Sequence, residues 1–219
     1  MSDQNTKALS IADLRTDYSH ANLSRSDTDP DPMAQFGKWW EEAVQAKIPE
    51  PNAMSLATVN AEGKPSSRIV LVKKFDAGGI TWFTNYASRK GEELALNPHA
   101  ALLFHWVELE RQVRFEGKVV LVSEADNDVY FASRPLRSQL GAIASDQSQP
   151  IANRALLETR FLEAEKKCGE HPQRPKNWGG YKLIPDTVEF WQGRRSRLHD
   201  RIVYRLDEYG VWQRERLQP

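Results

Sequence analysis

The sequence predicts a mainly β protein with peripheral helices (an α+β chain) whose strands form an antiparallel sheet or barrel. Three observations predict this. Strand-like runs mostly follow one another in short steps, which favours antiparallel pairing. The most regular run, Arg111–Val122, sets Val113, Phe115, Gly117, Val119 and Leu121 against Gln112, Arg114, Glu116 and Lys118, the period-two pattern of a strand with one buried face. Finally, no regular βαβ alternation is present, so helices are inserted between strands.

Residues 1–32 are polar and close on Asp27-Thr28-Asp29-Pro30-Asp31-Pro32. They predict a flexible N-terminal arm able to act as a lid, ahead of a single domain over 33–219. Phe36, Trp39, Trp40, Ala43 and Val44 recur at helical spacing over 33–47, and Ile48-Pro49-Glu50-Pro51 stops that helix. Ala53–Val59 and Ser66–Phe75 flank the turn-forming Asn60-Ala61-Glu62-Gly63-Lys64, which predicts a hairpin. Ile80–Thr84 follows as a strand, Ser88–Leu96 as a helix and Ala100–Val107 as a strand. Ser123 starts a helix, with Asp126 three residues on in a weaker form of the capping box. Pro135 interrupts it, and a second short helix runs through Gln139–Ala144. Asp146–Pro150 reads as a loop and Asn153–Lys167 as a charged helix. His171–Gly180, rich in Pro and Gly, reads as an exposed connection. Thr187–Trp191, Ile202–Leu206 and Val211–Arg216 close the chain as strands.

Composition narrows the function classes. The 219 residues carry 30 Lys+Arg and 30 Asp+Glu, so no net basic excess suggests a general nucleic-acid binder. Mean hydropathy is −0.64 and no apolar run is long enough to span a bilayer. The polar N-terminus lacks a secretory apolar region, and the single Cys168 has no internal partner. The expectation is a cytoplasmic protein that binds neither nucleic acid nor membrane. The seven tryptophans either fill the core or wall an aromatic ligand.

The densest chemistry lies at Arg194-Arg195-Ser196-Arg197-Leu198-His199-Asp200-Arg201. Four arginines repel one another there unless an anion sits among them. In extended backbone Arg197, His199 and Arg201 leave from one face, giving two fixed cations beside one group that titrates near neutrality. The alternative is a solvated basic loop. Ser88 is a good N-cap, which puts Arg89 and Lys90 in a first helical turn, against the macrodipole. A bound phosphate would reverse that sign. Ser66–Lys74 carries Arg68 and Lys73 at opposite parity, so they serve either two different anions or solvent. Tyr130, Arg134 and Ser138, spaced by four, form either a phosphate cradle or a polar helix face. There is no G-x-G-x-x-G, Walker A loop, H-E-x-x-H, zinc pattern or G-x-S-x-G elbow, and no metal site is expected.

Six blocks taken in order resemble the pyridoxine (pyridoxamine) 5′-phosphate oxidase family. They are Arg68–Lys73, Thr84–Lys90, Glu110–Val113, Ser133-Arg134-Pro135, Phe190–Gly193 and Arg197–Arg201. The resemblance implies an FMN-binding split β-barrel that works as a homodimer with FMN at the subunit interface. It implies an FMN phosphate held by Arg68, Arg89 and Lys90 with Gln147 and Ser148, and a flavin lined by the backbone of Ile69, Val70, Leu71 and Val72 and of Phe83-Thr84. Lys73 belongs to that stretch too. Gln112, Trp191 and Arg201 would contact the ring system or its side chain. Lys73, Tyr130, Arg134 and Ser138 would hold a substrate phosphate, and Arg197, Leu198 and His199 the pyridine ring, with Arg197 and His199 as catalytic residues. Arg15 and Tyr18 match a lid. The implied reaction converts pyridoxine or pyridoxamine 5′-phosphate to pyridoxal 5′-phosphate, with dioxygen as acceptor. A split-barrel reductase with another substrate and a non-catalytic pyridoxal phosphate carrier are the alternatives. Glu50-Pro51-Asn52 and the extra-basic Arg194-Arg195-Ser196 depart from the family's usual pattern.

Overall fold

The computed structural model describes residues 17–19 and 21–219, so Arg15 and His20 lie outside the described residues. The first helix, α1 (Pro32–Gln45), starts with Pro at its first position, and the Asp31 carboxylate caps the Met33 N–H. It buries Phe36, Trp39 and Ala43. Phe36 sits about 5 Å, ring centre to ring centre, from Phe75, Phe104 and Phe115, which makes it the hub of the core. Nine strands form one sheet among the described residues. They are β1 (Ala53–Val59), β2 (Pro65–Leu71), β3 (Lys74–Asp76), β4 (Gly79–Asn85), β5 (His99–Trp106), β6 (Arg111–Leu121), β7 (Trp178–Gln192), β8 (Asp200–Leu206) and β9 (Trp212–Leu217). All pairings are antiparallel, in the order β2-β1-β5-β6-β7-β4-β3, with β8 and β9 continuing from β7. The helices α2 (Arg89–Leu96), α3 (Glu124–Ser133), α4 (Leu136–Ala144) and α5 (Arg154–Cys168) stand between strands.

The strand β7 organises the sheet. One edge pairs with β6 from Tyr181 to Gln192. The other edge pairs with β4 from Trp178 to Leu183, then with β8 from Thr187 to Gln192. The change of partner falls at Pro185, which has no N–H to offer a neighbour. Opposite it the register shifts at Glu116/Gly117. A side chain at Gly117 would put its Cβ 2.1 Å from the Ile184 carbonyl oxygen, so the close approach of β6 to β7 there needs glycine. Bulge and proline together split the sheet, and the curl brings β2 close to β4.

Three expectations are corrected. Ser66–Phe75 is not one strand: β2 ends at Leu71 and β3 begins at Lys74, because Val72 turns into the core, 5 % exposed. His171–Gly180 is not wholly an exposed connection: Trp178, Gly179 and Gly180 are buried and open β7. Their Gly-rich composition reflects close packing rather than a loop. A Cβ at Gly179 would lie 2.1 Å from the Tyr86 hydroxyl. The last three strands therefore begin with one that is nine residues longer at its start than its alternation suggested.

Candidate functional site

An open cavity of about 750 Å³ lies between β2, β4, the start of α2 and the α3–α4 junction. Two sets of cations line it. The first is Arg68, Arg89 and Lys90, with Gln147 and Ser148 from the loop before α5; the second is Lys73 and Arg134, with Tyr130 and Ser138. Ile69, Val70, Leu71, Phe83 and Thr84 also line it, Phe83 against Tyr130 of the second set and Thr84 against Lys90 of the first. Val72 is the one member of the predicted stretch 68–73 that does not line it.

The first set is built around a buried acid that the sequence reading missed. Glu93, on α2, accepts hydrogen bonds from the hydroxyls of Thr58 and Ser66 (2.7 Å for Ser66), from Arg89 Nε at 2.9 Å and from Arg68 Nη2 at 3.4 Å. Burial would raise this carboxyl, but the bonds from Thr58, Ser66 and Arg89 and the charge of Arg68 outweigh it and hold it down at about 2. The spacing of Arg89 and Glu93, one helical turn apart, is the sequence signal that could have found it. Arg68 also donates to the Leu56 carbonyl and to the Thr58 and Ser66 hydroxyls, so its head is fixed before any ligand arrives. Lys90 is buried and donates to Thr84 Oγ1, Ser88 Oγ and Gln147 Oε1 at 3.1, 3.0 and 2.6 Å. Burial, and next the positive charge of Arg68, pull the Lys90 ammonium down to about 8. Ser88 does occupy the N-cap position but makes no side-chain cap bond. Its hydroxyl instead donates to the Asn85 carbonyl and accepts from Lys90. No side-chain cap bond from Ser88 therefore competes for the N–H groups at the start of α2.

The second set straddles a broken helix. The helix α3 ends at Ser133, Arg134 is extended, and Pro135 is the N-cap of α4. Tyr130, Arg134 and Ser138 are thus not on one continuous helix, yet the break still delivers all three to the cavity. Tyr130 stacks on Phe83 at 3.8 Å, and the Arg134 guanidinium lies 4.5 Å over the Trp178 ring. Burial lowers the Arg134 pKa. Its Nη1 is buried and has no hydrogen-bond partner. A buried, unpaired guanidinium nitrogen beside a cavity is a strong pull on an incoming oxyanion. Trp178, missed in the sequence, supplies the flat surface that carries it.

The remaining predicted residues lie elsewhere. Gln112 pairs with Trp191 across β6–β7, and Trp191 with Arg201 across β7–β8. None lines the cavity. Trp191 and Trp178 are at opposite ends of β7, thirteen positions apart, or about 40 Å of strand at ordinary rise. His199 packs on Trp191 with ring centres 4.5 Å apart, and Tyr18 meets both rings edge-on at 5.9 and 5.8 Å. His199 Nδ1 accepts the Arg194 N–H at 3.1 Å, which assigns its proton to Nε2 in the neutral form. Burial, then the neighbouring Arg197, lower its pKa. The expectation that Arg197, His199 and Arg201 alternate along one extended face is corrected. Arg195–Arg197 is a tight turn with Ser196 and Arg197 in the left-handed region at φ 57° and 60°, so regular alternation starts only at Asp200. Arg201 is forked onto Glu189, Nε to Oε1 at 2.6 Å and Nη2 to Oε2 at 3.1 Å. Leu198 is 69 % exposed at the tip of this loop.

No helix among the described residues is long and apolar enough to cross a membrane, and no cluster of His, Cys, Asp or Glu among them could hold a metal.

Comparison with known proteins gives a consistent result. Residues 40–168 match the family model described as pyridoxamine 5′-phosphate oxidase, and residues 178–219 match the one described as the pyridoxine 5′-phosphate oxidase C-terminal dimerisation region. The chain is 64 % identical over 211 residues to the pyridoxine/pyridoxamine 5′-phosphate oxidase of Janthinobacterium sp. (strain Marseille), covering 96 % of this chain and all of that one. It is 60 % identical to the protein of that name from Herminiimonas arsenicoxydans, with the same coverage. Among solved structures it resembles PhzG from Burkholderia lata 383, in complex with tetrahydrophenazine-1-carboxylic acid. The TM-score is 0.85 at 32 % identity, over 90 % of this chain and 98 % of that one. An FMN-binding protein of Nostoc punctiforme shares the fold, with a TM-score of 0.69 at 16 % identity over 86 % and 97 % of the two chains.

Proposed function

Because the chain belongs to the pyridoxine/pyridoxamine 5′-phosphate oxidase family of split-barrel oxidoreductases, we propose that it oxidises pyridoxine 5′-phosphate and pyridoxamine 5′-phosphate to pyridoxal 5′-phosphate with FMN as cofactor. The observation that carries this reading is the pair of separate cation sets in one cavity, one preorganised around Glu93 and one ending in the unpartnered Arg134 Nη1. A flavin mononucleotide and a phosphorylated pyridine bring two anions, and the cavity offers one cationic seat for each.

Arg68, Arg89 and Lys90, with Gln147 and Ser148, would hold the FMN phosphate at the start of α2. The backbone of Ile69–Leu71 and of Phe83-Thr84 would line the ring. Lys73, Tyr130, Arg134 and Ser138 would hold the substrate phosphate. FMN bound there would supply the redox chemistry, a two-electron oxidation at the substrate's C4′ carbon with dioxygen as final acceptor and hydrogen peroxide as product; for the amine substrate, hydrolysis of the resulting imine by water would release ammonia. The chain contributes position and charge. Two phosphate anchors fix the pyridine ring against the flavin, which converts encounter into alignment.

Gln112, Trp191, Arg201, Arg197, Leu198 and His199 would complete the site from a second copy of the chain, since within one chain they sit at the other end of β7. The dimerisation region matched over 178–219 contains five of these six. Arg197 and His199 would face the pyridine ring opposite the flavin, where the neutral His199 offers Nε2–H as a donor. Tyr18, already packed on His199, would close over them.

The test is direct. Released cofactor is identified by chromatography, and oxygen uptake is followed with pyridoxine 5′-phosphate, pyridoxamine 5′-phosphate and, because of the likeness to PhzG, tetrahydrophenazine-1-carboxylic acid. FMN and turnover of the two pyridine phosphates are expected. Turnover of the phenazine alone would give the activity to the PhzG-like reading, and bound pyridoxal 5′-phosphate without oxygen uptake would make the protein a carrier.

A further inference from the structure

The segment 21–29 is fastened to the C-terminal strands by side chains that reach its backbone. The Arg194 guanidinium donates to the Ala21 carbonyl at 3.0 Å. Asp200 Oδ2 accepts the Leu23 N–H at 3.0 Å, while Arg216 Nη2 donates to the Leu23 carbonyl at 2.8 Å. Arg216 Nη1 also pairs with Asp200 Oδ1, so one ion pair grips both polar groups of Leu23. Arg214 donates to the carbonyls of Arg25 and Thr28 at 3.2 and 2.6 Å, and the Tyr204 hydroxyl to that of Asp29 at 2.7 Å. Leu23 is 4 % exposed and anchors the segment in the core cluster. The segment has no strand partner, yet successive backbone groups are satisfied by β8, β9 and the loop before β8. Such contacts fix register without a ladder, and each reads backbone rather than side-chain identity.

Just ahead of this strap, Tyr18 lies against Trp191 and His199. A Cβ at Gly193 would stand 2.7 Å from the Tyr18 ring, so the glycine makes room for it. Asp200 and Arg194 belong both to the strap and to the loop that carries Arg197 and His199. The strap and that loop therefore share their fastenings.

We infer that Arg214, Arg216 and Asp200 act as positioning residues: by holding residues 21–29 on β8 and β9 they set Tyr18 over the Trp191–His199 pair, and so raise affinity for the substrate without taking part in the chemistry. The inference rests on the proposed reaction for its kinetic arm only. Arg214 touches only the strap, at Arg25 and Thr28, so any effect of its loss on substrate has to pass through the strap, whereas Arg216 also pairs with Asp200 at the end of the loop; Arg214→Gln is therefore the decisive variant.

The test uses Arg214→Gln and Arg216→Gln in the full-length flavoprotein, with Arg216→Lys as the conservative variant. Three readouts are combined: the rate of tryptic cleavage at the exposed Arg25, the 19F resonance of 5-fluorotryptophan at Trp191 (assigned with Trp191→Phe), and steady-state kinetics with pyridoxine 5′-phosphate. The expected result is faster cleavage at Arg25, a shifted Trp191 line, and a KM raised about three- to tenfold with kcat within twofold and flavin absorbance unchanged. Uniform loss of binding has that signature. Arg216→Lys, which keeps the charge, should recover part of the KM. Faster cleavage with an unmoved Trp191 line and wild-type KM would make the strap a structural tie and overturn the inference. A kcat loss equal to the loss in kcat/KM would overturn it too. Failure of the wild-type protein to oxidise the substrate would sink the proposed reaction instead, while the cleavage and 19F readouts would still judge the coupling.

Discussion

Glu93→Gln is the sharpest probe of how the cavity is built, because it keeps the shape of a side chain that is 5 % exposed and removes only its charge. Holding a carboxyl at about 2 instead of 4.5 corresponds to roughly 3 kcal/mol of stability at neutral pH. The sign follows from the direction of the shift. A depressed carboxyl stabilises the fold above its unfolded pKa, and that stability drains away as pH falls through the folded one. The gap between wild type and variant should therefore be largest at pH 7 and shrink to roughly 2 kcal/mol by pH 3.5. In a chain of this size each kcal/mol moves the melting temperature by about 2–4 °C, so the variant should melt about 6–12 °C lower at pH 7. Thermal and urea unfolding of the cofactor-free protein at pH 7, 5 and 3.5 reads this out. An unchanged melting temperature at pH 7, or a gap that stays constant with pH, would show that Glu93 is not the counter-charge that organises Arg68 and Arg89.

The other expectations concern ligands. Arg134→Ala should weaken pyridoxine 5′-phosphate binding about 10- to 150-fold, the loss of one charge-assisted bond, while FMN affinity, measured by flavin fluorescence quenching, stays near wild type. Arg89→Ala should do the reverse, and a swap of the two outcomes would break the assignment of the cation sets. Because the Lys90 ammonium sits at about 8 and a bound phosphate favours its charged form, FMN binding should take up a proton. Its affinity should hold from pH 6 to 7 and fall up to about fivefold between pH 8 and 9; a flat profile would exclude Lys90 from the phosphate seat. Arg197→Met should lower kcat and raise KM, and His199→Asn should do so less, with FMN content and melting temperature unchanged. Wild-type kinetics in both would return that loop to plain solvated surface.

Much of the fold was legible because its periods are clean. The alternation of Arg111–Val122 became β6, and Ser123 with Asp126 capped α3, Ser123 Oγ accepting the Asp126 N–H at 3.1 Å. What hid was hidden by packing. Trp178-Gly179-Gly180 reads as a loop because its glycines admit Tyr86 and Phe83 at close range, a requirement set by residues some 95 positions away. The Lys73 side was legible as chemistry but not as geometry: parity assumed one regular strand, and the chain bends at Val72. The cations of the cavity stood out in the sequence because they repel one another, whereas Glu93, which reconciles two of them, looked like one more acid on a helix. The clamp on residues 21–29 was invisible, since arginines that grip carbonyls carry no sequence period.

The run of β7 through two sets of neighbours has a genetic consequence. If each site takes one end of β7 from either chain, lesions at the two ends belong to different complementation groups. A chain disabled at Arg89 and a chain disabled at Arg201 would each be inert alone. Mixed at random in a two-fold dimer, half of the dimers would be hybrids. Each hybrid would collect both lesions in one site and none in the other. Two dead proteins would then return about a quarter of the full activity, a recovery that no arrangement confined to single chains could produce.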